Sequence, residues 1–196
     1  MKITDCFTDK LLNHNNYSSN EIVLLKHGMD IFIHDGGELL CVFALSLLLH
    51  NTNSTLIYVT SFSALRLCTG GYHASTRMLC TLQYIAMYLY YYFLLQIKFS
   101  FILQLSCLII SALYILHNAP IEHRLNCLTK EERKYNQICC RIILLILVLS
   151  YLVLLALRDD KRTTIVIVLL FNALMMILLK HSKNWRGNMN DNRYNN

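Results

Sequence analysis

The chain has 196 residues, of which 55% are hydrophobic and only 15% charged, with a formal net charge of +6. Soluble domains carry about 25% charged residues, so the long apolar runs indicate a polytopic helical membrane protein. The runs do not alternate apolar and polar residues, which argues against a transmembrane β-barrel. The positive charge fits an orientation signal and attraction to anionic lipids, and no basic–aromatic interleaving indicates nucleic-acid binding.

The N-terminal part of the chain is predicted to lie at the membrane surface. Residues 1–20 are polar and lack the apolar core of a signal peptide, so later segments are expected to direct insertion. Residues 18–33 are predicted to form an amphipathic interfacial helix, because Ser18 and Glu21 have capping-box spacing and apolar residues recur on one face. The glycine pair at 36–37 is expected to break this helix.

Two short apolar segments follow within residues 38–67, at about 38–49 and 54–67, and a polar turn at 50–53 joins them. As helices they would be about 18–21 Å long, which is less than the roughly 30 Å of a hydrocarbon core. We therefore predict a short helical hairpin that is either re-entrant or crosses a thinned bilayer.

The rest of the chain contains four fuller apolar segments within residues 78–179, which are predicted to be transmembrane helices. They lie at about 78–95, 99–117, 138–157 and 163–179. A hydrophilic connection at 118–137 holds the single proline, and a polar tail occupies 180–196. The predicted fold class is all-α. It is a single membrane domain over residues 1–196 with about four full transmembrane helices, two short N-terminal helices and an interfacial helix.

The distribution of lysine and arginine predicts the orientation in the membrane. Most of them fall on one side if both termini are placed in the cytoplasm, as expected from the positive-inside rule. The basic turn at 158–162 opposes this bias, and Asp159 and Asp160 partly offset it. We therefore expect a multi-pass cell-membrane protein with both termini and the 66–80 segment at the cytoplasmic face.

The 66–80 segment places a histidine and a cysteine in a polar, glycine-broken run between apolar segments. Ionisable groups at a membrane edge are costly to keep there and mark candidate functional sites. An imidazole and a thiol are the minimum pair for nucleophilic acyl transfer. The thiol needs a base or positive surroundings to become a thiolate, and Arg66, His73 and Arg77 lie close to Cys80 in sequence.

A direct contact between His73 and Cys80 requires a break in the helix. On one continuous helix the two would lie about 10 Å apart, beyond hydrogen-bond reach. The glycines at 70–71 free the backbone, and Ser75 or Thr76 can cap a helix that carries Cys80. The dyad interpretation therefore predicts that this helix begins after His73 and that the histidine folds back on a loop.

Simpler interpretations stay open on the residues alone. A cysteine in an apolar run usually packs in a core, a histidine near an interface is usually a polar anchor, and paired glycines usually mark a turn. A metal site built from Cys68, His73 and Cys80 lacks a convincing fourth ligand. The eight cysteines show no CxxC pair and are read as reduced thiols. No metal ion and no cofactor is expected.

The pattern Arg66-x4-Gly71-x-His73-x6-Cys80, with Ala74 after the histidine, resembles the accessory gene regulator B family. Members of that family are membrane cysteine endopeptidases of Gram-positive quorum sensing. The pattern is fairly specific in a chain of this size and hydropathy.

Two further features extend the resemblance over nearly the whole chain. The run Ala119-Pro120-Ile121-Glu122, followed by a basic stretch from Lys130 to Lys134, is similar to the family's proline-containing central loop. The N-terminal helix with Gly28 also fits.

The resemblance implies that Cys80 is the nucleophile and His73 the general base in cleaving a small precursor peptide near its C-terminus. It also implies that the acyl-enzyme thioester passes to a cysteine or serine of the precursor, which closes a thiolactone or lactone ring. Arg66 and Gly71 are read as supporting residues. The exchange of one thioester for another changes the free energy little. Ring closure therefore depends on holding the peptide's nucleophile close and excluding water.

The resemblance also implies a precursor with an acidic C-terminal tail, which a set of basic residues is expected to receive. The set comprises Arg124, Lys130, Arg133 and Lys134. The alternative is a plain positive-inside anchor, and Glu131 and Glu132 dilute the positive field. The expected partners are the precursor peptide and the lipid bilayer, with no nucleic acid. A homodimer is compatible with the resemblance and with the short helices.

The main alternative function is a small membrane transporter or exporter of a peptide, without proteolysis. Such a protein should show an internal repeat or interrupted helices in corresponding halves, whereas the interruptions here lie only in the N-terminal part. A family member that binds the precursor without cleaving it is a third reading, and retention of both His73 and Cys80 argues against it.

Overall fold

A computed structural model describes residues 19–69, 77–121 and 129–194, and within these ranges the chain is helical with no strands. The predicted all-α class is confirmed. The helices are α1 Ser19–Leu48, α2 Thr52–Thr69, α3 Arg77–Leu95, α4 Phe101–Asn118, α5 Lys130–Ala156 and α6 Arg162–Tyr194.

The first helix, α1, belongs to a compact unit that ends at His50. It runs without interruption from Ser19 to Leu48, so the prediction of a break at the glycine pair 36–37 is wrong. Glycine in a helix costs about 0.5–1 kcal/mol relative to alanine, which weakens a helix without ending it. The helix stops before a turn at 49–51, where His50 has a positive φ of 50°. The interfacial position of 18–33 and the hairpin at 38–67 stay predictions.

The last helix, α6, is the central helix of the second unit, which begins at Asn51. It packs against α2, α3, α4 and α5, while α5 also contacts α2 and α4. In its apolar window 67% of the residues are buried, against 11% for α3. The apolar faces of α4 and α5 are instead largely exposed. In a bilayer these faces would contact acyl chains, whereas α6 contacts protein.

Among the described residues, four helices are long and apolar enough to cross a membrane. Their spans are Met78–Leu95, Phe101–Asn118, Lys130–Ala156 and Arg162–His181. The four transmembrane helices predicted within 78–179 are therefore confirmed, and the protein is a multi-pass membrane protein. The segment 180–196, predicted as a polar tail, is helical as far as Tyr194 because α6 continues through it.

The fifth helix begins at Lys130 rather than near residue 138, because its N-terminus is capped. The backbone N–H of Thr129 donates to Glu132 Oε2 at 2.8 Å, and the Glu132 N–H donates to Thr129 Oγ1 at 3.3 Å. This is a capping box, which satisfies two backbone donors that a helix end leaves unpaired. The hydrophilic residues of the first turns are helical for that reason.

An aromatic cluster joins α2, α3 and α6. The ring of Tyr58 on α2 stacks on Tyr91 of α3 with centroids 4.2 Å apart, and on its own helix neighbour Phe62 at 5.6 Å. Phe171 of α6 meets Tyr58 edge-on at 6.5 Å. Aromatic pairs at such separations add to the energy of burial, so this cluster fixes the three helices against one another.

Two hydroxyl pairs close one end of the same interface. Thr55 Oγ1 and Tyr88 Oη are 2.8 Å apart, and Tyr91 Oη and Thr164 Oγ1 are 3.2 Å apart. All four residues are buried. Buried hydroxyls are costly unless they are hydrogen-bonded, so each pair allows its two helices to approach without leaving a polar group unpaired.

Candidate active site

The predicted nucleophile, Cys80, is the fourth residue of α3 and is half-buried. Three apolar side chains near it on the same helix, Met78, Leu79 and Leu82, are exposed. A thiol in the first turns of a helix feels the positive end of the helix dipole only weakly. Cys80 is therefore partly exposed, beside apolar surface of its own helix.

The aromatic cluster relates Arg66 to the helix that carries Cys80. Tyr84 lies four residues after Cys80, which places it one turn further along the same face of α3. Its ring is 6.2 Å from the ring of Phe62 on α2, and the guanidinium carbon of Arg66 lies 5.8 Å from the centre of the Phe62 ring. Arg66 thus stacks on the side of α2 that faces the Cys80 face of α3.

The chain on both sides of segment 70–76 is held by tertiary contacts. The Ile121 N–H donates to the carbonyl of Thr69 at 3.0 Å, which fixes the C-terminal end of α2 to the chain after α4. On α3, Gln83 Nε2 donates to Met175 Sδ of α6 at 3.2 Å. The segment that carries His73 therefore connects two helices that are each held by tertiary contacts.

His73 and Gly71 lie outside the described residues, as does Arg124, so their predicted roles stay predictions. The contact between the imidazole and the thiol is likewise a prediction.

A second thiol near the end of α2 has different surroundings from Cys80. Burial raises the pKa of the Cys68 thiol, and the neighbouring Cys139 of α5 adds to the rise. A thiol with a raised pKa is less ionised near neutral pH and is a poorer nucleophile. None of the six described cysteines takes part in a disulfide bond.

The basic residues predicted to bind the precursor tail lie in the first turns of α5. Lys130, Arg133 and Lys134 are exposed. Positive side chains near a helix N-terminus are mildly unfavourable for that helix, so helix stability does not explain their position. The carboxylate of Glu132 accepts hydrogen bonds from the backbone N–H and the hydroxyl of Thr129. It is therefore turned towards the N-cap.

Two features of the site go beyond the sequence-based expectations. One is the aromatic cluster around Tyr58 and Phe62, for which the sequence signal is the recurrence of aromatic residues along α2 and α3. The other is the capping box, for which the signal is the spacing of Thr129 and Glu132. Aromatic residues occur throughout apolar helices, so only the packing distinguishes the cluster, whereas the cap has a sequence signature that the polarity of the following residues obscures.

The fold and this site define a multi-pass, all-helical membrane protein with a cysteine at the start of a membrane-spanning helix. The chain belongs to the accessory gene regulator B family, whose model matches residues 4–183. The resemblance carried by Arg66, Gly71, His73 and Cys80 is therefore confirmed at the level of the family.

Individual relatives are similar over part of their length. The chain is 34% identical over 114 residues to accessory gene regulator protein B of Staphylococcus intermedius, covering 57% of this chain and 60% of the relative. It is 27% identical over 117 residues to the proteins of the same name from Staphylococcus aureus strains bovine RF122 / ET3-1 and N315, covering 59% of this chain and 63% of each relative. The match thus spans less than two thirds of these relatives. No solved structure matches the chain.

Proposed function

We propose that this protein is a membrane cysteine endopeptidase of the accessory gene regulator quorum-sensing system. It cleaves a small precursor peptide and promotes closure of a thiolactone or lactone ring. The family match over residues 4–183 carries the proposal, because it includes both His73 and Cys80. The position of Cys80 at the start of α3 supports it.

In the first step His73 accepts the proton of the Cys80 thiol, and the thiolate attacks the scissile carbonyl carbon of the precursor. A carbon–sulfur bond forms, the peptide carbon–nitrogen bond breaks, and the imidazolium gives its proton to the leaving amine. The C-terminal fragment departs and the N-terminal part stays attached to Cys80 as a thioester.

In the second step a thiol or hydroxyl of the same precursor attacks that thioester. Its proton passes to His73, the bond to Cys80 breaks, and the Cys80 sulfur leaves as a thiolate and regains a proton from the imidazolium. Water is the competing nucleophile, because it would hydrolyse the thioester. The exposed apolar side chains of Met78, Leu79 and Leu82 support the proposal because they disfavour water near Cys80. An apolar surface at a membrane favours intramolecular attack over hydrolysis.

The proposed role of Arg66 is to bind the substrate or to favour the Cys80 thiolate. Its guanidinium stacks on Phe62 at 5.8 Å, and a planar guanidinium can donate hydrogen bonds to a carbonyl or carboxylate of a peptide. Lys130, Arg133 and Lys134 are proposed to receive the acidic tail of the precursor. The cytoplasmic location of both termini and of the site, and a homodimer, belong to the same proposal.

The deciding experiment mixes purified protein in detergent micelles with synthetic candidate precursors and measures a covalent adduct by intact mass. We expect an adduct that hydroxylamine cleaves, that disappears in Cys80→Ala, and that persists in the matched control Cys68→Ala. His73→Ala should slow its formation. If the adduct is lost in Cys68→Ala but kept in Cys80→Ala, then Cys68 is the nucleophile and the proposed role of Cys80 is wrong. A His73→Ala protein that reacts at the full rate would remove the histidine from the mechanism.

A further inference from the structure

Three side chains on α1 bring their metal-ligating atoms together. His34 Nδ1 lies 3.3 Å from Glu38 Oε1 and 3.8 Å from Asp35 Oδ1. One ligating atom from each residue falls within 4.8 Å of the other two. In the part of the chain that the structure describes, this is the one group of three histidine, cysteine or acidic residues with such spacing.

Glu38 distinguishes this group from an ordinary surface ion pair. The residue is only 9% exposed, and its Oε1 atom is buried without a hydrogen-bond partner. It lies 3.3 Å from His34 Nδ1, within ion-pair distance. A buried carboxylate oxygen without a hydrogen-bond partner, one atom of a three-residue ligand group, is where a bound cation would supply the missing interaction.

The charges of the group also leave room for a cation. Two carboxylates approach one imidazole nitrogen, so even a protonated His34 balances only one of them. A buried carboxylate is costly unless it is paired with a positive charge or binds a metal ion. Asp35 is largely exposed and its charge is solvated, whereas Glu38 is buried and has only the His34 ring within ion-pair distance among the described residues. A divalent ion would balance both carboxylates.

The distances match the dimensions of a small divalent ion. Zinc binds nitrogen and oxygen ligands at about 2.0–2.2 Å, so two ligands of a tetrahedral site are separated by about 3.3–3.6 Å. The observed separations of 3.3 and 3.8 Å need only small side-chain adjustments. An imidazole with two carboxylates suits Zn²⁺, Co²⁺ or Mn²⁺ rather than soft ions that prefer thiolates.

We propose that His34, Asp35 and Glu38 bind a divalent first-row metal ion of the zinc type, which clamps α1 across Gly36 and Gly37. The ligands lie on both sides of the glycine pair, where the helix is intrinsically weakest. Ligands at positions i and i+4 lie on one helix face, so a shared ion stabilises the helical form of this segment. The site lies wholly within α1 and does not depend on the proposed peptidase activity.

The test titrates Co²⁺, a spectroscopic substitute for Zn²⁺, into the full-length protein in detergent micelles without an affinity tag. We expect saturable binding of one ion per chain with visible d–d bands and no thiolate-to-cobalt charge-transfer band. His34→Gln and Glu38→Gln should each weaken binding at least about tenfold, since each removes a ligand. The exposed residues His117 and Glu131 provide matched controls, and His117→Gln and Glu131→Gln should bind as the original protein does.

Hydrogen exchange supplies a second measurement. Zn²⁺ should slow amide exchange over residues 35–40 of the original protein and have no effect there in His34→Gln. Circular dichroism shows whether each variant stays helical, and Asp35→Asn at an exposed position offers a substitution with little structural risk. The proposal is overturned if Co²⁺ does not bind saturably, or if Glu38→Gln leaves the binding unchanged. It is also overturned if the only new absorption is a thiolate-to-cobalt charge-transfer band, or if Zn²⁺ leaves the amide exchange unchanged.

Discussion

Tyr58 of α2 and Tyr91 of α3 stack with their ring centroids 4.2 Å apart. This contact holds the helix that ends with Arg66 and Thr69 against the helix that begins beside Cys80. The geometry of the candidate active site therefore depends on aromatic packing in the middle of the bundle, and substitutions there should affect the site as well as stability.

Two tyrosines of this cluster should respond differently to loss of the hydroxyl group. Tyr91 Oη is hydrogen-bonded to Thr164, so Tyr91→Phe should lower the free energy of unfolding by about 1 kcal/mol. Tyr58 Oη is buried without a hydrogen-bond partner, so Tyr58→Phe should be neutral or stabilising. Thermal unfolding in the same detergent shows whether Tyr91→Phe lowers stability more than Tyr58→Phe does. Equal losses would mean that Tyr58 Oη also has a hydrogen-bond partner.

Alanine at the glycine pair of α1 should stabilise the helix. A Cβ atom added at Gly36 or Gly37 meets no other atom within 4 Å, and alanine is favoured over glycine in a helix by about 0.5–1 kcal/mol. Gly36→Ala and Gly37→Ala should each raise the helical signal and slow amide exchange around the substitution. A loss of helical signal would mean that the chain needs a bend at this point, as the composition of the segment first indicated.

Removing the cap of α5 should destabilise the start of that helix. Thr129→Ala leaves the N–H of Glu132 without its side-chain acceptor, which costs about 0.5–2 kcal/mol for caps of this kind. Thr60, an exposed threonine within α2, provides the control, and Thr60→Ala should change stability less. Faster amide exchange confined to residues 130–134 in Thr129→Ala is the expected signature, and no change there would show that the cap is unnecessary.

Charge reversal at the start of α5 separates precursor docking from membrane anchoring. The triple variant Lys130→Glu, Arg133→Glu, Lys134→Glu should weaken precursor binding about tenfold at low salt, taking roughly 0.5 kcal/mol for each exposed charge. The difference should shrink as salt is added, because exposed charges are screened. Lys98→Glu, at an exposed position between α3 and α4, serves as the control. Equal losses of binding and of membrane insertion would support the plain anchor instead.

Much of this protein is determined locally by its sequence. The four apolar runs within 78–179 predict four membrane-spanning helices because hydropathy depends on the residues of each segment alone. The spacing from Arg66 to Cys80 likewise indicates the family without any knowledge of the fold. The start of α5 was also readable from Thr129 and Glu132, but a cap matters only where the following residues form a helix, and their polarity favoured a loop.

Other properties were decided by tertiary structure. An apolar helix can face either lipid or protein, and nothing in its own residues distinguishes α6, which is buried, from α4, which is exposed. The same holds for the stacking of Tyr58 on Tyr91 and for the place of Arg66 over Phe62, which depend on residues far apart in the chain. The hydropathy of a segment is a sum over its own residues. Packing depends on contacts between side chains of different helices, and these contacts exist only after the helices associate.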